Sequence, residues 1–375
     1  MRNSDQLKDK TPLIGSAQIR LLQRLCDACA VSGDEGEVRK IILDQVTPHS
    51  DEVKIDALGN VLAIRNGRSG TSVAKGEKDR LRVMLAAHMD EVGFMITNND
   101  GDGIFRFDVV GGIDERQLPG KPVWVGKDHI PGVIGTKPIH LTTSDERKRN
   151  ISLDNLRIDI GPASTSEVKI GDRATFATSF SRLGSSLRGK ALDDRLGVAT
   201  LIELIKHAPT NIDMLAAFTV QEEVGLRGAR VAAYGLDPDI AIAVDSTPAL
   251  DLPNWDEEDG VPLENVRYNT RLDAGPAIYV ADAATLSDPR LIRHLVNVAE
   301  ANKIPYQIRQ PGGGGTDAGA IHRSRAGIPS VSISVPGRYA HTAAGIARLA
   351  DWKHTLNLLY LALNDISPTI LSQER

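Results

Sequence analysis

Cysteine, aromatic side chains and long apolar runs are all scarce in this chain. Two cysteines occur among 375 residues, too few for a disulfide framework. They form one CxxC, Cys26 and Cys29, inside the helix-like stretch QIRLLQRLCDACAV. No second cysteine pair exists to complete a structural zinc site, so both read as small buried residues. Aromatics make up 4% of the sequence, which argues against a base-stacking surface. No apolar run approaches the roughly 18 residues of a membrane helix. The polar opening MRNSDQLKDKTPLIGSAQ lacks the apolar core of a secretory signal, and a cytoplasmic location is expected. The formal net charge is −5, with no long run of lysine or arginine; neither nucleic acid nor membrane is expected as a partner.

What remains is an ordinary globular balance, 41% apolar and 25% charged, over a length that implies two domains. Periodicity predicts helices near 17–30 and 35–47, and a hairpin across 52–66. From 93 to about 180 the texture becomes short alternating segments broken by Gly, Asp and Pro, the pattern of a small β barrel or sandwich. The charged stretch TSDERKRN (143–150) is a solvated loop. Beyond 190, helices alternate with apolar strands, as in DRLGVATLIELIKHA, NIDMLAAFTV, RGARVAAYG and PDIAIAVD. The expected fold is α/β: a mostly parallel sheet with helices on both faces, interrupted by a barrel-like β insertion. The predicted boundaries are 1–92 and 181–375 for the α/β domain, with 1–16 a loose tail, and 93–180 for the insertion.

The α/β strands end in ionisable residues. RVMLAAHMD runs out to His88 and Asp90, MLAAFTVQEE to Glu222 and Glu223, IAIAVDS to Asp245, and SVSISVPGRYAH to His341. Asp193 and Asp194 stand just before a helix. Ligand sites of open α/β sheets form at the carboxyl ends of the strands. Histidine and carboxylates without cysteine suit zinc or cobalt, or manganese where carboxylates dominate. His88 and Asp90, two apart on an extended chain, share one face, so Asp90 can orient the ring while His88 ligates. A metal would offset the desolvation cost of such charges in the buried stretch MLAAHMDEVGFMI. Glu91 has no assigned role. The remaining histidines, His49, His129, His140, His207, His294, His322 and His354, lack this context and read as surface or core residues.

The motifs AAHMDEVGFM, IDIGPAS, GKALDDRLG, TVQEEVGLRGA, AIAVD and GGGTDAG, in this order, resemble the tetrahedral aminopeptidases. That family includes glutamyl and deblocking aminopeptidases and proteins misnamed endoglucanase M. The resemblance covers the chain from about residue 20 onward. It implies two divalent metal ions per subunit, zinc first and cobalt or manganese as alternatives. His88 and Asp245 would bind one ion, Glu223 and His341 the other, and Asp193 would bridge them; Asp90 would orient His88, and Glu222 would be the general base. It also implies that segment 93–180 mediates assembly into dimers and then a hollow dodecamer. Two departures stand out: in YAHTAAG, His341 is followed by Thr-Ala where Ser-Pro is common in the family, and 250–272 is long and acidic.

The expected activity is removal of the N-terminal residue from short peptides. Adjacent Glu222 and Glu223 point to different sides of the chain, which fits a base beside a ligand. It does not fit the facing carboxyls of a glycosidase, about 5–9.5 Å apart. PGGGGTDAG lacks the Lys-Ser/Thr of a phosphate loop. Its Gly312–Gly315 run reads as a place where backbone approaches substrate, with Gly314, Gly315 and Thr316 as contacts. Alternatives are a metal-dependent deacylase or carboxypeptidase-like amidohydrolase, and a non-catalytic scaffold with a relict site.

Overall fold

The computed structural model describes residues 11–68, 80–162, 168–252, 270–309 and 314–375. The expected helix signals near the start give α1 (Ser16–Asp27) and α2 (Gly36–Val46), and the hairpin is β1 (Glu52–Ile55) with β2 (Val61–Arg65). The hairpin is not free-standing, because β2 also pairs antiparallel with β12 (Ile212–Thr219). It thereby extends the main sheet.

The heart of that sheet is four parallel strands in the order β12, β3 (Leu81–His88), β13 (Ile240–Pro248) and β16 (Ser330–Arg338). Alternation along β3 explains its burial on both faces. Leu81, Val83, Leu85 and Ala87 join the larger core with α1, α2, α3 (Leu192–Lys206), α5 (Pro289–Asn302) and α7 (Leu349–Asp365). Met84 and Ala86 face a smaller core against α4 (Arg227–Leu236) and α6 (Ala318–Ile321). Helices therefore cover both faces, as expected. The antiparallel hairpin β10 (Ser181–Leu183) and β11 (Ser186–Gly189) closes one end through β17 (Gly345–Arg348). The short strands β14 (Ala277–Tyr279) and β15 (Gln307–Arg309) pair beside β16. None of these four short additions, β10, β11, β14 and β15, carries a run long enough to announce itself in the sequence. No described helix is long and apolar enough to cross a membrane.

After β3 the chain leaves for a closed six-stranded barrel. Its strands are β4 (Gly93–Gly101), β5 (Ile104–Val110), β6 (Pro122–Val125), β7 (Ile130–Gly135), β8 (Arg157–Asp159) and β9 (Arg173–Phe176), ordered β4-β5-β8-β7-β6-β9. It has its own core, in which Phe94 meets Phe107 and Phe176 edge to face, centroids 5.2 Å apart. Gly93 marks the exit from the sheet. A Cβ there would lie 2.4 Å from Val31 Cγ2 and 2.7 Å from the Ala174 carbonyl, so this close approach requires glycine. The stretch 143–150 holds a short 3-10 turn, Glu146–Lys148, within an exposed loop.

Candidate active site

Parallel register brings the charged strand ends together. His88, the last residue of β3, pairs with Thr219 at the end of β12, so Glu222 and Glu223 emerge beside it. Asp245 lies on β13 opposite Ser334 of β16. Asp193 enters from the head of α3, joined to Asp194 by a cis peptide bond. His341 follows β16 in the left-handed region, with φ +57°.

Asp193 stands between the two histidines. Its Oδ1 is 3.2 Å from His88 Nε2, and its Oδ2 is 3.6 Å from His341 Nε2. His88 Nε2 is also 3.6 Å from Asp245 Oδ1, and His341 Nε2 is 3.2 Å from Glu223 Oε2. The Gly112 carbonyl lies 2.8 Å from His341 Nδ1. A carbonyl only accepts, so Nδ1 carries a proton and Nε2 is turned to the carboxylates.

Asp90 is fully buried and occupied on both oxygens. Oδ1 accepts the Glu222 N–H at 3.0 Å; Oδ2 accepts the Ser32 hydroxyl at 2.6 Å and the Glu223 N–H at 3.3 Å. His88 Nδ1 faces Asp90 Oδ1 at 3.5 Å and has no hydrogen-bond partner. Asp90 therefore meets His88 by an electrostatic contact. Its hydrogen bonds fasten the turn that carries the two glutamates, a role that spacing alone did not reveal.

Negative charge is in surplus here. Burial first, then the nearby Asp245, Asp317 and Glu223 carboxylates, push Glu222 well above the usual carboxylate range. Burial and Asp193 push Glu223 up to about 8, and burial with Asp193 pushes Asp245 up to about 6. Burial works against a charge on His341, yet the nearby Asp193 and Glu223 carboxylates raise it to about 9. Burial likewise opposes ionisation of Asp193, but the His341 and His88 imidazoles beside it hold its carboxyl well below the usual range.

Carboxylates outnumbering imidazoles in a buried space is the donor chemistry that divalent cations satisfy. Two sets of donor atoms lie within 4.8 Å of one another: His88, Asp193 and Glu223, and His88, Asp194 and Asp245. The residues present therefore fit a metal centre. Asp194, which the sequence places before a helix without a ligand role, joins the second set. Its Oδ1 accepts the Gly197 N–H at 2.9 Å, while its buried Oδ2 has no partner. Asp317 is an addition to the sequence reading: Oδ2 accepts the Thr219 hydroxyl at 2.5 Å, and buried Oδ1 is unpartnered. Both sit inside motifs already singled out, GKALDDRLG and GGGTDAG; only the fold shows that they point inward.

The cluster opens into a cleft of about 590 Å³, lined also by Gly314, Gly315, Leu226, Tyr279 and Arg309. Arg309 Nε donates to Thr247 Oγ1 at 2.9 Å, and its guanidinium lies 4.4 Å from the Tyr279 ring centroid. Thr316 differs from the expectation. It is buried, with its hydroxyl 2.6 Å from Ser332 Oγ and 3.2 Å from Asp282 Oδ2. Its side chain is consumed in holding the loop, and backbone of Gly314 and Gly315 faces the cleft instead. Gly312, Gly313 and the acidic run Asp256–Asp259 lie outside the described residues. Asp251 is described and is paired with Arg338 at 2.6 Å.

The sequence profile described as M42 glutamyl aminopeptidase matches residues 69–358. A lysyl aminopeptidase of Pyrococcus furiosus is 31% identical over 360 residues, 93% of this chain and 97% of that protein. Among solved structures, a TET aminopeptidase from a marine sediment thaumarchaeon aligns with a TM-score of 0.86 at 33% identity, covering 95% of this chain and 99% of that one. The TET1 peptidase of Pyrococcus horikoshii, described as assembling into a tetrahedron or a large octahedral shell, aligns with a TM-score of 0.78 at 33% identity, covering 93% of this chain and 100% of that one.

Proposed function

The chain belongs to the M42 glutamyl aminopeptidase family, and from that premise we propose that it is a metal-dependent aminopeptidase that removes the N-terminal residue of short cytoplasmic peptides. The observation that carries this reading is Asp193, whose two carboxylate oxygens face two different histidines, His88 at 3.2 Å and His341 at 3.6 Å. His88 and Asp245 would hold one divalent ion, Glu223 and His341 a second, with Asp193 shared between them. Zinc suits this set first, cobalt or manganese next. Bound there, the ions supply Lewis acidity, polarising the scissile carbonyl and acidifying water.

The chain's own residues do the rest. Glu222 takes a proton on its carboxylate and passes it to the leaving amine nitrogen. Asp90 keeps Glu222 aimed by holding its backbone N–H, and Glu223 beside it by the same means. Backbone of Gly314 and Gly315 lets the peptide main chain approach closely. The cleft, about 590 Å³, holds a few residues and not a folded chain.

We take residues 93–180 as the assembly domain, building dimers and then a dodecamer, a reading supported by the assembly described for the Pyrococcus horikoshii relative. The test of the activity is a panel of aminoacyl amides and short peptides with free or acetylated N-termini, with zinc, cobalt or manganese restored to stripped enzyme. Turnover of free N-termini alone is the expected result. Turnover of acetylated substrates would favour a deacylase, and none with any metal a scaffold.

A further inference from the structure

A second set of ligand-type side chains lies away from the cleft, where the α/β domain meets the barrel. Cys29 follows α1, Glu37 sits in the first turn of α2, and His129 comes from the turn between β6 and β7. Their donor atoms all lie within 4.8 Å of one another. In the sequence Cys29 reads as a small buried residue and His129 as a surface or core histidine, because the two are a hundred positions apart and only the packing of barrel on sheet joins them.

Each member is held. Glu37 Oε2 accepts the Cys29 backbone N–H at 3.0 Å, and Oε1 is 2.6 Å from His129 Nε2. His129 is in the left-handed region at φ +52°, an uncommon conformation for a residue with a side chain. Its ring stacks on Trp124, centroids 6.5 Å apart. Beside the cluster is a cavity of about 330 Å³ lined by Cys29, Glu37, Trp124, Asp34, Lys40 and Lys127, room for a further water ligand. Glu37 and His129 are each partly exposed, so an ion can enter from solvent.

We propose that Cys29, Glu37 and His129 form a separate site for one zinc- or cobalt-type divalent ion, which ties the barrel to the α/β domain. A thiolate, a carboxylate and a neutral imidazole offer two negative charges, matching one divalent ion. Sulfur with imidazole selects zinc or cobalt over magnesium, calcium or manganese. Tetrahedral coordination at the usual bond lengths sets donors roughly 3.3–3.8 Å apart. The three groups reach that spacing if Glu37 and His129 part slightly and the thiol closes in. Binding releases the thiol proton, while the proton between Glu37 and His129 moves to His129 Nδ1 and leaves the imidazole neutral; no electron transfer is involved. Without a cation, burial keeps the Cys29 thiol protonated, which argues against a nucleophilic or disulfide role. Asp34 offsets part of the charge of Lys40 and Lys127 at the cavity mouth.

The chain has only two cysteines, and the cleft described above holds no sulfur donor, so a thiolate spectrum reports on this site alone. The test titrates cobalt(II) into metal-stripped full-length protein and follows the near-ultraviolet thiolate-to-cobalt charge-transfer band. The band should appear in the wild type and in Cys26→Ser and be absent from Cys29→Ser. His129→Gln, on an exposed turn, should need at least about tenfold more cobalt for half-saturation, since even supporting residues of metal sites are worth roughly 10–100-fold. Added cobalt should also raise the unfolding temperature of Cys29→Ser less than that of the wild type. A wild type that binds cobalt with no such band would overturn the proposal. So would a band that survives in Cys29→Ser, or one unmoved in His129→Gln.

Discussion

The ammonium of Lys190 lies 2.8 Å from both carboxylate oxygens of Glu91, and both side chains are buried. Glu91 also accepts the Ala30 N–H at 2.9 Å and the Thr175 hydroxyl at 3.0 Å. Arg195, 3.4 Å from Glu91 Oε1, donates to the Met89 and Asp90 carbonyls. One buried network thus joins the segment after α1, the barrel strand β9, the head of α3 and the His88–Asp90 turn. Removing one member strands a charge. Lys190→Met should destabilise the chain by about 3–5 kcal/mol, the usual cost of breaking a buried pair from one side. Glu91→Gln combined with Lys190→Met should recover part of the loss. Denaturant midpoints of the two single variants and the double variant check this; strictly additive losses would contradict the pairing.

Asp90→Asn should separate support from stability. The amide keeps the shape but supplies one acceptor oxygen where the carboxylate supplies two, and its NH2 confronts the backbone N–H of Glu222 or Glu223. Turnover should fall about 10–100-fold, typical for residues that orient metal ligands, with KM little changed. Steady-state kinetics beside thermal unfolding is the check. A change in KM alone would remove Asp90 from its positioning role.

The sequence shows the outline of this centre because its parts are local. His88, Asp193, Glu222, Glu223, Asp245 and His341 stand at element ends marked by apolar runs, and the sheet brings those ends together. Glu91 stayed opaque for the opposite reason: its partners Thr175, Lys190 and Arg195 are far away in sequence, and a buried glutamate looks the same as an exposed one until they are in place. Asp317 was hidden behind its glycines, and Thr316 was misplaced because a hydroxyl beside a glycine-rich loop points equally well to substrate or to Ser332. The parallel strands were legible from their length and alternation, whereas β14 and β15, three residues each, carry no periodic signal.

Asp351, which does not line the cleft, predicts a pH dependence of its own. It accepts the Gly275 N–H at 2.8 Å and the Asp273 N–H at 2.9 Å, yet burial outweighs both and lifts its carboxyl from 3.8 to about 6. The folded state therefore holds this proton more tightly than the unfolded chain. Its contribution to stability is full below pH 3.8 and is lost as pH rises through about 6. Asp351→Asn lacks that titration, so the wild type should lose stability relative to the variant across this window and run parallel to it above. Unfolding temperatures of both proteins over a pH series test it; parallel curves throughout would contradict it.

Assembly is checked by light scattering. The barrel presents Ile139 and Leu141 to solvent in the single chain, at 70% and 60% exposure, as a surface that a second copy would cover. A large complex built from dimers is expected at micromolar concentration. A fully active monomer would contradict it.

The most direct measurement counts metal and turnover on the same preparations, with Cys29→Ser as background so that only the cleft is counted. The parent should hold two ions per chain and hydrolyse aminoacyl amides. Adding Glu222→Gln should leave both ions bound while turnover falls by the roughly 10²–10⁴ expected for loss of a general base. Adding Glu223→Gln should cost one ion, with activity partly restored by excess metal, and Asp193→Asn should empty both positions. A metal-depleted Glu222→Gln beside a fully loaded Glu223→Gln would reverse the two roles. Full activity in both, with both ions bound, would contradict the dinuclear aminopeptidase itself.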